Sequence, residues 1–84
     1  PVLVDDILST GLTLSQTVRG LRAQGLAPPL CLAVHAVFAG DARQRLADAG
    51  AARLVTANTI AHETNAVDLT APVAHALRGH LKQA

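Results

Sequence analysis

Short unbroken apolar runs alternate along this chain with stretches in which apolar residues recur every three or four positions. Pro1 to Val4 is the first run and ends on Asp5 and Asp6, which predicts a buried strand with charge at its end. Ile7 to Gly11, carrying Ser9 and Thr10, reads as a turn. Leu14, Val18 and Leu21 then recur at helical spacing, with Arg19, Arg22 and Gln24 outside and Gly25 just past the end. Beyond Pro28 and Pro29, Leu30 to Phe38 is a second run, too continuous for a half-exposed strand. Gly40 and Asp41 open a turn, and Ala42, Leu46 and Ala49 mark a short helix stopped by Gly50. Arg53 to Ala57 is a third strand, Asn58 to Asn65 a polar loop, and Ala66 to Leu69 a short fourth strand. Thr70 is the expected N-cap of a last helix, with Pro72 in its first turn and a stripe of Val73, Ala74, Leu77 and Leu81. Apolar strands alternating with short amphipathic helices predict an α/β fold, a parallel sheet flanked by helices and covered on both faces.

Composition narrows what such a sheet could be part of. The 84 residues are 50% hydrophobic and only 15% charged, and the sole aromatic is Phe38. A core of Ala, Leu and Val in one small domain is thin, so part of the apolar surface is expected to face a missing portion or a second copy. The chain is expected to be a fragment of a longer protein, and an opening residue of Pro1 agrees; a complete small oligomer is the alternative. Seven Lys and Arg against six Asp and Glu give a net charge of +1, no reason to expect nucleic acid. Arg43 and Arg45 are too few for such a surface. One cysteine excludes an intrachain disulfide and any thiolate zinc cluster. No apolar run reaches the ~18 residues of a membrane helix, and no leader is legible.

The sharpest chemistry lies in Val4-Asp5-Asp6-Ile7-Leu8-Ser9-Thr10-Gly11-Leu12-Thr13. A strand delivers two carboxylates to the end where ligands of open α/β sheets collect. The turn that follows runs into a helix, offering backbone N–H groups, the positive helix end and the hydroxyls of Ser9, Thr10 and Thr13. Gly11 supplies backbone freedom. An anion in the loop would be repelled by the carboxylates, so these must serve another part of the ligand: sugar hydroxyls, or a hard cation through water. A phosphorylated sugar with a vicinal diol meets both demands. Ordinary capping at a strand end is the plainer reading of Asp5 and Asp6.

This segment resembles the phosphoribosyl-pyrophosphate-binding motif of type I phosphoribosyltransferases. Val34 to Ala42 and Val55 to His62 look like the later blocks of ribose-phosphate diphosphokinases, so the resemblance covers nearly the whole chain. It implies a partial type I phosphoribosyltransferase fold forming the C-terminal portion of such an enzyme. Asp5 and Asp6 would face the ribose hydroxyls, and Ser9, Thr10, Gly11, Leu12 and Thr13 would hold the 5-phosphate. The ligand would be ribose 5-phosphate or phosphoribosyl pyrophosphate, with ATP as co-substrate and Mg2+ accompanying the diphosphate. A cytoplasmic homo-oligomer completed by an N-terminal portion is implied as well.

Two departures stand out. Leu12 occupies a position where many relatives carry Gly, and Ala61 replaces a proline common after the Thr-Ile pair. The family's ATP site and basic catalytic loop lie outside these residues, and no Lys precedes Lys82. The chain alone is therefore expected to bind ribose 5-phosphate weakly and not to catalyse; no catalytic residue and no metal ligand is assigned to it. A phosphoribosyltransferase that consumes phosphoribosyl pyrophosphate, and a non-catalytic regulatory homologue, remain as alternatives.

Four histidines invite over-reading. His35, inside an apolar run, reads first as a satisfied core or interface residue, with a place near the diphosphate as the alternative. His62 and Glu63 sit on the polar loop, where the resemblance allows a subunit or nucleotide contact. His75 and His80 fall on the surface of the last helix and lack the i, i+4 spacing of a helical zinc pair. Cys31 is expected to be buried and inert.

Overall fold

The computed structural model describes residues 1–83, along which four strands and three helices follow one another. They are β1 (Val2–Leu8), α1 (Leu12–Ala23), β2 (Leu30–Ala36), α2 (Ala42–Ala49), β3 (Arg53–Ala57), β4 (Asn65–Val67) and α3 (Thr70–Gln83). The strands form one parallel sheet in the order β1-β2-β3-β4, as the alternating pattern predicts. Register runs unbroken from Val2 opposite Leu30 to Leu8 opposite Ala36, and from Leu30 opposite Arg53 to Ala33 opposite Thr56.

The core lies between this sheet and the first two helices. Leu14 and Val18 of α1 and Leu46 and Ala49 of α2 close over Cys31 and Ala33 of β2 and over Leu8. Gly50 ends α2 at φ 106°, its N–H donating to the Ala47 carbonyl at 3.1 Å and that of Ala51 to Leu46 at 3.1 Å. That left-handed stop is the one the sequence led us to expect.

Several boundaries differ from the sequence reading. β1 does not end at the acidic pair: pairing with β2 carries the strand through Ile7 and Leu8, because Leu8 has a place in the core. β2 stops at Ala36, short of Phe38. There the Val37 N–H turns back to the His35 carbonyl at 3.0 Å, and Phe38 takes a φ of 40°. α1 begins at Leu12, and the fourth strand lies at Asn65–Val67 rather than Ala66–Leu69.

Nor is the sheet covered on both faces. β1 is an edge strand whose alternate residues Val2 and Val4 are 60% and 69% exposed, while Leu3 packs against the core. A parallel strand can thus read as continuously apolar while only one of its faces is covered in this chain. The stripe of α3 exists as the spacing predicts, but Val73, Leu77 and Leu81 are all more than half exposed.

Thr70 is the first residue of α3, and the capping acceptor is Asp68. Its Oδ1 accepts the Thr70 N–H at 2.8 Å and an Asn58 side-chain N–H at 2.9 Å. The bond from the Thr70 backbone, then those from the Thr70 and Asn58 side chains, hold the Asp68 carboxyl below its ordinary value of 3.8. The folded chain therefore binds fewer protons here than the unfolded one. The contribution is complete above the unfolded value and is lost as pH falls through the lower folded one. Acidification from about pH 5 to pH 2 should accordingly fray the first turn of α3. The Thr70 amide, followed by NMR in an Asp68→Asn control and the parent chain, should lose its acid-dependent shift only in the control.

Candidate phosphate-binding site

The segment between β1 and α1 has its carbonyls tied back, one after another. The Leu8 carbonyl accepts the Phe38 N–H at 2.9 Å, the Ser9 carbonyl accepts the Ala39 N–H at 2.8 Å, and the Thr10 carbonyl accepts Nη1 of Arg45 at 3.1 Å. Further on, the Gly11 carbonyl takes the Ser15 N–H at 2.8 Å, and the Leu12 carbonyl takes the Ser15 hydroxyl at 2.7 Å. In a trans peptide the N–H points opposite to the C=O of the same plane. No cis bond occurs among the described residues, so drawing the carbonyls of Leu8, Ser9 and Thr10 toward the β2–α2 side turns the N–H groups of Ser9, Thr10 and Gly11 away from it. The first-turn N–H groups of α1 also have no partner within the helix. Successive donors on one side are the arrangement that binds an oxyanion.

Gly11 makes the turn. It caps α1 at φ 74° and lies so near the start of α2 that an added Cβ would sit 3.3 Å from the Ala42 carbonyl oxygen. Thr10 Oγ1 accepts the Leu12 N–H at 3.3 Å, tightening the same turn. Leu12 needs no positive φ: it begins the helix with its side chain half exposed, so the missing second glycine leaves no strain. Thr13 is exposed in the first helical turn.

A hollow of ≈ 150 Å³ opens at this place, lined by Asp5, Ile7, Leu8 and the whole segment from Ser9 to Leu14. Larger hollows of ≈ 370 and ≈ 570 Å³ lie beside α2, around Arg43, Ala47 and either Glu63 or Phe38, and none of the motif residues lines them. The acidic pair is divided by the strand. Asp5 is half-buried and borders the hollow, whereas Asp6 is exposed, as alternation along a strand requires. Asp5 Oδ1 accepts the Asp6 N–H at 2.8 Å and Asp6 Oδ1 accepts the Ile7 N–H at 2.8 Å. The Ile7 N–H, then a side-chain bond with Asp5, keep the Asp6 carboxyl below its usual 3.8, with a smaller pull from the charge of His35.

His35 is half-buried opposite Ile7, and its Nδ1 lies 2.6 Å from the Thr59 hydroxyl. That hydroxyl donates its one proton to the Val34 carbonyl at 3.2 Å, so it accepts from the Nδ1–H of His35. His62 is held by Thr64, whose hydroxyl lies 2.9 Å from its Nδ1, and its ring stands 4.4 Å from that of Phe38. Glu63 pairs with Arg43. Cys31 is buried in the core, which raises its thiol pKa and keeps it inert. The residue that sequence reasoning passed over is Arg45, weighed there only as surface charge. Its partner Thr10 is 35 positions away, beyond the reach of any local pattern.

The parallel strand order, helices and strand–loop–helix hollow together make a partial type I phosphoribosyltransferase fold. The chain belongs to the phosphoribosyl transferase domain family, which matches residues 1–72. It is 38% identical over 68 residues to a ribose-phosphate pyrophosphokinase of Sulfolobus acidocaldarius, covering 81% of this chain and 23% of that protein. It is 34% identical over 77 residues to the protein of that name from Methanosarcina acetivorans, covering 92% and 27%. A ribose-phosphate pyrophosphokinase of Corynebacterium efficiens is 35% identical over 63 residues, covering 75% and 19%. The chain thus spans about a quarter of the length of these relatives. Among the described residues no helix is long and apolar enough to cross a membrane.

Proposed function

We propose that this chain is the ribose 5-phosphate-binding, C-terminal part of a ribose-phosphate diphosphokinase. The observation that carries this reading is the run of tied-back carbonyls from Leu8 to Thr10 beside the Asp5 carboxylate, in one hollow. The N–H groups of Ser9, Thr10 and Gly11 and the Thr13 N–H and hydroxyl hold the 5-phosphate, while the Leu12 N–H, bonded to Thr10 Oγ1, keeps the turn in shape. Asp5 accepts hydrogen bonds from the ribose hydroxyls, and Asp6, ionised and exposed on the other side of the strand, adds its charge without lining the hollow. In the complete enzyme the C1 hydroxyl so presented would attack the β-phosphorus of ATP, releasing AMP and giving phosphoribosyl pyrophosphate. The likeness to proteins named ribose-phosphate pyrophosphokinase supports this branch over a base-transferring one.

Among the described residues no three acidic, histidine or cysteine side chains come together to hold a metal. The exposed Asp6 carboxylate, kept ionised by the Ile7 N–H, suits a magnesium ion that would be bound chiefly through substrate phosphates and water. Bound that way, magnesium would neutralise charge on the diphosphate. This chain's own residues anchor and orient the acceptor sugar, and the oligomer and the N-terminal portion complete the enzyme.

The test is a titration of the 15N-labelled chain with ribose 5-phosphate and magnesium. The amides of Ser9 to Thr13 should shift together; shifts confined to the loop of His62, or none, would overturn the assignment. Thr13→Val removes one hydroxyl bond at constant shape and should weaken binding by about 1 kcal/mol. Calorimetry giving the parent affinity would take the Thr13 hydroxyl out of the site.

A further inference from the structure

We infer that Arg45 is a positioning residue for the phosphate loop, acting through the Thr10 carbonyl. The inference rests on the phosphate reading of that loop and adds a residue to it. Of the three carbonyls that must point backwards, those of Leu8 and Ser9 are held by backbone N–H groups of Phe38 and Ala39. The Thr10 carbonyl is held by a side chain, Nη1 of Arg45, at 3.1 Å.

The Thr10 carbonyl shares its peptide plane with the Gly11 N–H, so whatever fixes the one aims the other. This plane is also the easiest in the loop to turn over, because Gly11 is free of the side chain that resists rotation elsewhere. A flip would present a carbonyl oxygen to the anion in place of a donor. The guanidinium on the far side opposes the flip, and its positive charge adds to the attraction for the ligand.

Its surroundings suit the task. Arg43, one residue pair earlier on α2, is exposed and taken by Glu63. Arg45 is half-buried, and α2 stands against the turn closely enough to leave only 3.3 Å between the Ala42 oxygen and a Cβ at Gly11. Helix, arginine and loop thus meet in one continuous contact.

The experiment compares the parent chain with Arg45→Met, Arg45→Gln and Arg45→Lys. Affinities for ribose 5-phosphate and for inorganic phosphate are read by NMR titration, and loop order by 15N relaxation without ligand. Arg45→Met should weaken both ligands about fivefold, the effect of one lost hydrogen bond. Order parameters of Thr10 and Gly11 should fall from the rigid range near ~0.85 toward ~0.6. Arg45→Gln, which can still donate to the carbonyl, should recover most of the order and affinity. Parent-like affinity and order in Arg45→Met would overturn the inference; so would recovery by Arg45→Lys with none by Arg45→Gln, which would leave charge as the whole effect. If the methionine variant does not fold, the glutamine–lysine comparison decides alone. Absence of any loop shift in the parent chain would instead overturn the phosphate reading, and the ligand-free order parameters would still judge the Arg45 contact.

Discussion

Replacing Gly11 with valine should unfold the chain at a temperature more than about 10 °C lower and remove phosphate binding. The backbone at Gly11 has a φ of 74°, a region that costs an ordinary L-residue about 1–2 kcal/mol and a β-branched one more. The added Cβ also meets the Ala42 carbonyl oxygen at 3.3 Å, and that oxygen is helix backbone, which gives way less readily than the end of a side chain. Strain and crowding together should cost about 2–4 kcal/mol, a large share of the stability of so small a domain. Relief by re-turning the peptide would spoil the run of donors, so binding falls by either route. Gly20→Ala is the internal control: it lies within α1 with nothing within 4 Å of an added Cβ, and should stabilise by up to about 1 kcal/mol. Thermal unfolding of both variants, with phosphate titrations alongside, checks the pair. A Gly11→Val chain that melts and binds like the parent would mean that the turn is not held in this form.

Asp5→Asn should weaken ribose 5-phosphate binding by about 1.5–3 kcal/mol, roughly ten- to 150-fold, with little change in stability. Asparagine keeps the shape and one acceptor oxygen but gives up the charge that strengthens bonds from the sugar hydroxyls. Asp5 lines the hollow with the phosphate loop, so it should carry the larger effect of the two acids. Asp6, exposed on the other side of the strand, should show the same direction and a smaller change. Calorimetry with magnesium present checks both. Equal affinities for parent and Asp5→Asn would remove the carboxylate from sugar recognition.

The strand–loop–helix motif was legible because each part has a local cause. An apolar run, a Ser-Thr-Gly turn and a helical period are visible between Pro1 and Leu21, and Gly50 and Gly11 announce left-handed turns by composition alone. The end of β1 was misjudged for an equally physical reason. Asp5 and Asp6 look like a terminus, but pairing with β2 carries two more residues into the sheet and sends the two carboxylates to different sides.

By itself, then, the chain's pattern determined the parallel α/β class, the order of elements and the loop that could hold an anion, all of which depend on neighbours within a turn or a strand. Tertiary structure alone decided which way the loop's peptides face, which face of the sheet stays open, and what each polar side chain holds. Thr10 meets Arg45 across 35 positions, His35 meets Thr59 across 24, and Thr56 meets Thr64 in a buried pair completed by Asn65. Such bonds are chosen by strand register and helix packing. Periodicity records only which residues share a face, and it does not record which partner stands opposite them.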